Sequence, residues 1–333
     1  MVRPINTDRF SKRMRARAVR LDERAILLAR LSGSQQEQDL SKPVNCGGFG
    51  RVHHFRRSQF DDWSPNPLPM LPAARALKRE PEEEVRAQVF QIAACNWRCW
   101  YCFVDVDRLS ANPRVAEFFT AEELVDRYLA EAGRPCIIDL SGGQPNLVPE
   151  WTPWVMRALE SRQVAHSVFL WSDDNLSNYF YWEYLDESER RMIAEYPMYA
   201  RVGCFKGFDE ESFAFNTGAE PSLFARQLDV FSRLASEGVD LYAYATFTHV
   251  TSGGLPEKMH SFCDRLQRIH PNLPLRVVPL KILPFAPVQS RMGAEHERAL
   301  AVQVDAHDAW IAEIDRRFTT KQREALIIDV EIR

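Results

Sequence analysis

From about Val85 onward the chain alternates short apolar runs with amphipathic stretches. Val85–Ala94, Cys136–Leu140, His166–Trp171, Tyr199–Phe205, Leu241–Thr248 and Leu275–Leu283 read as strands. Thr120-Ala121-Glu122-Glu123 is a capping box. It opens a helix with Leu124, Val125, Tyr128 and Leu129 on one face and a stop at Gly133. Trp151–Ser161, Glu187–Glu195, Ser222–Ser236 (ended by Gly238) and Glu257–Ile269 suit further helices. Such alternation predicts βαβ units with right-handed crossovers and a parallel sheet. The repeats fit an α/β architecture, an incomplete parallel (β/α)6 TIM-like barrel over residues 83–290, with a doubly wound sheet as the alternative.

Residues 1–82 break this pattern. Met1 to Lys42 carries ten basic and five acidic residues, with an amphipathic helix expected around Leu21–Leu31. The run from Cys46 to His54 is glycine-rich, and Pro65, Pro67, Pro69 and Pro72 follow. These favour irregular backbone, so the segment reads as a basic, partly irregular extension. Its basic arm reads as a solvated surface, with a role in holding a macromolecule as the sharper alternative. At the other end, residues 291–333 read as a helix and a strand (about Glu295–Arg333) packing on the barrel. The aromatic run Asn178–Tyr184 reads as a packing helix rather than a base-stacking surface.

Composition narrows the function classes. Hydrophobic residues make up 45% of the 333, which excludes wholesale disorder. Lys plus Arg is 42 against 46 Asp plus Glu, a net charge of −4. Neutralising a phosphate backbone needs a basic excess, so a nucleic-acid partner is disfavoured. No apolar run reaches the length of a membrane helix, and Met1–Asn6 lacks a secretory signal's apolar stretch. The Arg-rich start resembles a transit peptide, but Asp8, Asp22 and Glu23 oppose that reading. A cytoplasmic, reducing location is expected, where the seven cysteines serve as metal ligands or buried thiols rather than disulfides.

Cys95, Cys99 and Cys102 fall in one C-x3-C-x2-C segment after the first strand, at the edge where parallel α/β folds assemble their sites. Zinc usually takes four protein ligands in two pairs, and no partnering pair occurs. Three thiolates on a four-iron cluster leave one iron open to an outside ligand. The segment, with Tyr101 before the last cysteine, resembles the radical S-adenosylmethionine (radical SAM) superfamily. Ser141-Gly142-Gly143-Gln144-Pro145, directly after the second strand, resembles that superfamily's Gly-Gly-Glu-Pro turn. The resemblance covers about residues 85–285.

The resemblance implies that Cys95, Cys99 and Cys102 hold a [4Fe–4S] cluster whose fourth iron SAM chelates. Reductive cleavage of SAM would then give methionine and a 5′-deoxyadenosyl radical that abstracts a substrate hydrogen. Gly142 and Gly143 let backbone approach the SAM amino group, and Tyr101 lies near adenine. Gln144 replaces the usual Glu and keeps only a carbonyl acceptor for that group. Trp171–Asn175 and Cys204–Glu210 are similar to segments of the pyruvate formate-lyase activating branch. They suggest Ser172, Asp174 and Lys206 as contacts to SAM's ribose and carboxylate, while Cys204 stands where that branch has an aspartate. A flavodoxin or ferredoxin is the implied electron donor.

The substrate is unidentified: a glycyl-radical partner enzyme, a small metabolite or nucleoside, or a peptide. The rival readings are a non-catalytic zinc or Fe–S module and SAM-dependent non-radical group transfer. Cys136, Cys204 and Cys263 read as buried thiols, and Cys46, near His53 and His54, as part of a structural turn with a reactive thiol as the alternative. His249 reads either as a rim residue or as a satisfied histidine. Trp97, Arg98 and Trp100 are expected to shield the cluster.

Overall fold

The computed structural model describes residues 4–332. Asn6 caps the first helix, α1 (Thr7–Ala18), its side chain accepting from the Arg9 N–H at 3.0 Å. The helix expected over Leu21–Leu31 does not form. A turn instead joins β1 (Val19–Arg20) to β2 (Ala25–Ala29) in an antiparallel pair. All five residues of β2 are buried, which leaves no polar face for an amphipathic helix and suits a strand covered on both sides. Farther on, β3 (Gly50–Arg56) emerges from the segment expected to be irregular, and the proline-rich stretch ends in α2 (Met70–Leu77). Pro72 sits in the first turn of α2, where its missing N–H costs nothing.

β4 (Glu84–Phe90) pairs antiparallel with β3 along their whole length, from Gly50 opposite Phe90 to Arg56 opposite Glu84. β5 (Ala116–Thr120) leaves this sheet and pairs with β2, completing a small sheet of order β1-β2-β5. The expected capping box of Thr120 and Glu123 then starts α3 (Ala121–Ala130).

Strands and helices alternate thereafter: β6 (Ile137–Leu140), α4 (Trp151–Ser161), β7 (Phe169–Asp174), α5 (Phe180–Tyr184), α6 (Glu187–Glu195), β8 (Tyr199–Phe205), α7 (Glu210–Thr217), α8 (Leu223–Ser236), β9 (Leu241–Thr246), α9 (Leu255–Ile269) and β10 (Val277–Leu280). β7 starts later than the pattern predicts, because Ser167 turns back onto the Val164 carbonyl through both its N–H and its hydroxyl.

The large sheet runs β3-β4-β6-β7-β8-β9-β10, with β4 and its five successors parallel and β3 the antiparallel edge. Each new parallel strand is added on the same side, so there is no switch point and the doubly wound alternative is excluded. The sheet curls into an incomplete barrel with β3 and β10 as free edges. Alternation sends Ala87, Ile137, Phe169, Trp171, Val202, Cys204, Tyr242 and Tyr244 into the lumen. Leu68, Leu71 and Ile327 join that cluster and plug the N-terminal end of the barrel.

After β10 come α10 (Ala286–Gln289), the long α11 (Ala294–Arg317), which packs on α9, and α12 (Thr320–Arg323). The expected C-terminal strand does not form among the described residues. The tail has no sheet partner and is instead held by side chains, with Arg276 Nε donating to the Val330 carbonyl at 2.7 Å.

Candidate functional site

The cysteine loop lies at the C-terminal edge of the parallel strands, tied down on several sides. Cys95 N–H donates to the Leu109 carbonyl (2.9 Å), Arg98 N–H to Thr217 (3.2 Å) and Trp100 N–H to Asn216 (3.3 Å). Asn96 and Trp97 point away from the thiols into α1. Asn96 Nδ2 donates to Ser11 Oγ at 2.8 Å, and Trp97 Nε1 donates to Thr7 Oγ1 at 2.9 Å. The N-terminal arm, expected to be a solvated surface, thus clamps the loop from behind. A buried ion pair between Arg15 and Glu150 fastens the clamp, with Arg15 also donating to the Leu147 carbonyl at 3.1 Å. Trp100 donates to Asn216 Oδ1 at 2.9 Å and stacks on His296.

All seven cysteines are free thiols. Cys95 is buried, and Cys99 and Cys102 are half-buried. Burial pushes the Cys99 thiol up to about 12 and Cys102 upward, with the neighbouring sulfurs adding to both; Lys206 pulls the other way on each, as does Arg291 on Cys102. Thiolates here need a compensating positive charge, which a metal centre supplies. Among the described residues, only Asp209, Glu211 and His249 bring three donor atoms within 4.8 Å of one another.

Gly142 and Gly143 form a turn of positive φ, +75° and +65°, beneath the loop. A Cβ on Gly143 would stand 2.5 Å from the carbonyl oxygens of both Ile92 and Ala94. The turn is stitched to the loop by the Gln144 N–H, which donates to the Ala94 carbonyl at 2.8 Å. Neither glycine carbonyl accepts a hydrogen bond among the described residues.

Gln144, Ser172 and Asp174 do not join this surface. The Gln144 carbonyl accepts from Asn175 N–H (2.9 Å), and its amide donates to Asp174 Oδ1 (2.8 Å). Asp174 also accepts from Leu176 N–H (2.8 Å) and pairs with buried Arg201. Ser172 bonds to the Tyr199 hydroxyl at 2.7 Å. Parity explains this: Ser172 and Asp174 alternate with Trp171 and Asp173, and the latter two face inward. Sequence reasoning missed Asp173, Asp139 and Arg51, although the period of two running from Trp171 marks Asp173.

Lys206 and Tyr101 do face the thiols. Burial works against the charge of Lys206, but Cys204, Tyr101, Cys99 and Asp173 around it outweigh that and raise its pKa. Its ammonium finds no hydrogen-bond partner among the described residues. The Tyr101 hydroxyl lies 3.2 Å from Thr246 Oγ1. Cys204 faces the same space, its thiol pushed up to about 12 by burial.

The remaining candidates resolve as structural groups. Cys46 is buried in its turn, its N–H donating to Glu131 Oε1 at 2.7 Å. Cys263 is buried in α9. His249 is fully buried, and the trio it forms with Asp209 and Glu211 is filled by Lys258, whose Nζ lies 2.7 Å from the ring and 2.8 Å from each carboxylate. This is an ion-pair cluster with its cation already in place. The aromatic run packs as α5, as expected. A cleft of about 660 Å³ involving Tyr196, Asp240 and Arg276 lies at the opposite, N-terminal edge of the strands, away from the end where parallel barrels place their chemistry. Among the described residues, no helix is long and apolar enough to cross a membrane.

No protein-family model matches the chain, and neither does any curated protein. Among solved structures it is similar to Streptococcus suis SuiB bound to S-adenosylmethionine, at 16% identity over 53% of this chain and 37% of that one, with a TM-score of 0.38. It is also similar to SuiB bound to the precursor peptide SuiA (14% identity, 53% and 36% covered, TM-score 0.36). A third is anSMEcpe with bound AdoMet and Cp18Cys peptide (17% identity, 57% and 48% covered, TM-score 0.39). The matched region spans about half or less of each of those chains.

Proposed function

We propose that the protein is a radical SAM enzyme. Cys95, Cys99 and Cys102 would hold a [4Fe–4S] cluster, with SAM on its open corner. When bound, that pair supplies one-electron cleavage of SAM and a 5′-deoxyadenosyl radical that takes a hydrogen atom from the substrate. The carrying observation is the three thiols on one rigid loop at the C-terminal mouth of an incomplete barrel, stitched to a left-handed Gly-Gly turn.

The chain's own groups divide the work. The carbonyls of Gly142 and Gly143 are free to accept from an ammonium. Lys206 offers an unpaired ammonium to a carboxylate. Tyr101, fixed through Thr246, and Trp100, stacked on His296, exclude water from the thiols. Gln144 and Asp174 act behind this surface, holding the turn after β7 against the glycines, and Ser172 ties β7 to Tyr199 on β8. A low-potential donor such as flavodoxin or ferredoxin would deliver the electron, in the reducing cytoplasm.

Anaerobic reconstitution followed by dithionite and SAM tests the reading. The expected outcome is roughly four irons and four sulfides per chain and formation of 5′-deoxyadenosine, read by mass spectrometry. One zinc per chain, or SAM consumed without 5′-deoxyadenosine, would refute it.

A further inference from the structure

Strand parity sends a second set of polar side chains into the lumen, in line with neither the thiols nor the glycine turn. Arg51 on β3 lies opposite Val89, Val89 opposite Asp139 on β6, and Asp139 opposite Trp171 on β7, so the four share one rung of the barrel. Arg51 is 6% exposed and Asp139 is 3% exposed. Burial and the neighbouring Asp173 carboxylate push the Asp139 pKa well up while Arg51 draws it down, and no ion pair joins Arg51 to Asp139 among the described residues. Arg51 Nε and Asp139 Oδ1 are buried without any hydrogen-bond partner. The neighbouring Asp173 is different: Ser141 Oγ donates to it, and Lys206 stands nearby. The ring centroid of Phe103, directly after Cys102, lies 5.4 Å from the Arg51 guanidinium carbon, so the rung lies beside the cysteine loop.

A guanidinium and a carboxylate removed from water recover their lost hydration only through close partners. Here one of each is kept apart, with unused donor and acceptor atoms, on the lumen side of the sheet, where the aromatic rings of Trp171, Tyr242 and Tyr244 also lie. On one rung, an unused guanidinium N–H and an unused carboxyl oxygen favour a ligand group that offers an acceptor and a donor together, because a ligand with only one of them leaves the other buried atom unpaired.

We propose that Arg51 and Asp139 bind a polar group of the substrate, which presents an oxygen acceptor to the guanidinium and a nitrogen donor to Asp139 Oδ1. An amino-acid zwitterion and a carboxamide share that chemistry. The ligand's role as substrate rests on the cofactor site proposed above; the binding itself does not.

Calorimetric titration of the reconstituted protein at constant ionic strength, with glycine, acetamide, acetate and methylammonium as probes, tests this. Glycine or acetamide should bind about tenfold or more tightly than either single ion, since hydrogen bonds to charged groups are worth that much. The better of the two identifies the zwitterion or the amide. Arg51→Met and Asp139→Asn should each weaken that binding about tenfold. The double variant Arg51→Met/Asp139→Leu removes both polar groups and strands neither, and it should erase the preference. Equal affinities for all four probes, no binding of any, or variants that bind as the parent does would overturn the proposal. Iron is assayed on the same samples: a parent without iron that still prefers the neutral probes defeats only the cofactor reading, and a parent with iron that binds none defeats only this one.

Discussion

Gly143→Ala probes the contact between the glycine turn and the cysteine loop, and its cost can be divided in advance. At φ +65° a non-glycine residue pays about 1–2 kcal/mol for left-handed backbone. Gly133, at φ +64° with nothing within 4 Å of an added Cβ, pays that alone. Gly143 pays more. Its Cβ would meet the Ile92 and Ala94 carbonyl oxygens at 2.5 Å and Ile92 Cγ2 at 2.9 Å. These belong to backbone held from other directions, since Ala93 N–H donates to Leu27 (2.9 Å) and its carbonyl accepts from Ala111 (2.7 Å). Relief requires shifting the segment that carries Cys95, and overpacking of that kind typically adds about 1–3 kcal/mol. Gly133→Ala should therefore lose about 1–2 kcal/mol and Gly143→Ala about 2–5 kcal/mol. Urea denaturation of the two variants reads the difference, and iron per chain after reconstitution reads its consequence. Gly133→Ala should keep the parental iron while Gly143→Ala loses most of it. Equal stability and equal iron in the two variants would refute the turn as a wedge that sets the loop.

Three further outcomes follow from the same geometry. Alanine at Cys95, Cys99 or Cys102 should remove the visible absorbance of the reconstituted protein, whereas Cys136→Ala and Cys263→Ala should keep it; a common result for all five would contradict the ligand assignment. Arg15→Met strands Glu150, whose side chain is 9% exposed, and should cost about 3–5 kcal/mol in urea denaturation. Arg15→Met/Glu150→Met should recover much of that loss, and failure to do so would remove the buried pair from the account of the clamp. Glu313 joins α11 to α9: partial burial works against its charge, but Arg316 and Arg317 hold it down to about 2 from an ordinary 4.5. Its folded value is depressed, so its stabilisation is full above pH 4.5 and is lost as pH falls toward about 2. Glu313→Gln should flatten the stability profile of the metal-free protein across that window, and an unchanged slope would exclude the brace.

The repeating half of the fold was legible because local and global signals agree there. The Thr120–Glu123 capping box, the apolar face of α3 and the short apolar strands each point to one structure, and six parallel strands result. Ala25–Ala29 was ambiguous, since a short apolar run suits helix or strand, and only the distant β5 decides. Arg51 and His53 on β3 fell in a segment expected to be irregular, because the glycines of 47–50 hide the strand, and charge inside a barrel looks, in sequence, like charge outside it. The same blindness ended β7 at Trp171, when Asp173 continues it into the lumen. Gln144, Ser172 and Asp174 were marked by the resemblance of the segments that carry them, which places them near strand ends. The direction of their side chains depends on hydrogen bonds across three strands. The cysteine loop and the glycine turn were readable as local features because each is contiguous in sequence, and the hydrogen bond from Gln144 N–H to the Ala94 carbonyl brings them together.

Electron paramagnetic resonance of the dithionite-reduced, reconstituted protein, recorded with and without SAM, tests the central claim most directly. Three sulfur ligands and a vacant corner predict the signal of a reduced four-iron cluster that changes shape when SAM is added. A signal indifferent to SAM would mean that a fourth group of the protein closes that corner, and no cluster signal at all would mean that the thiols serve another end.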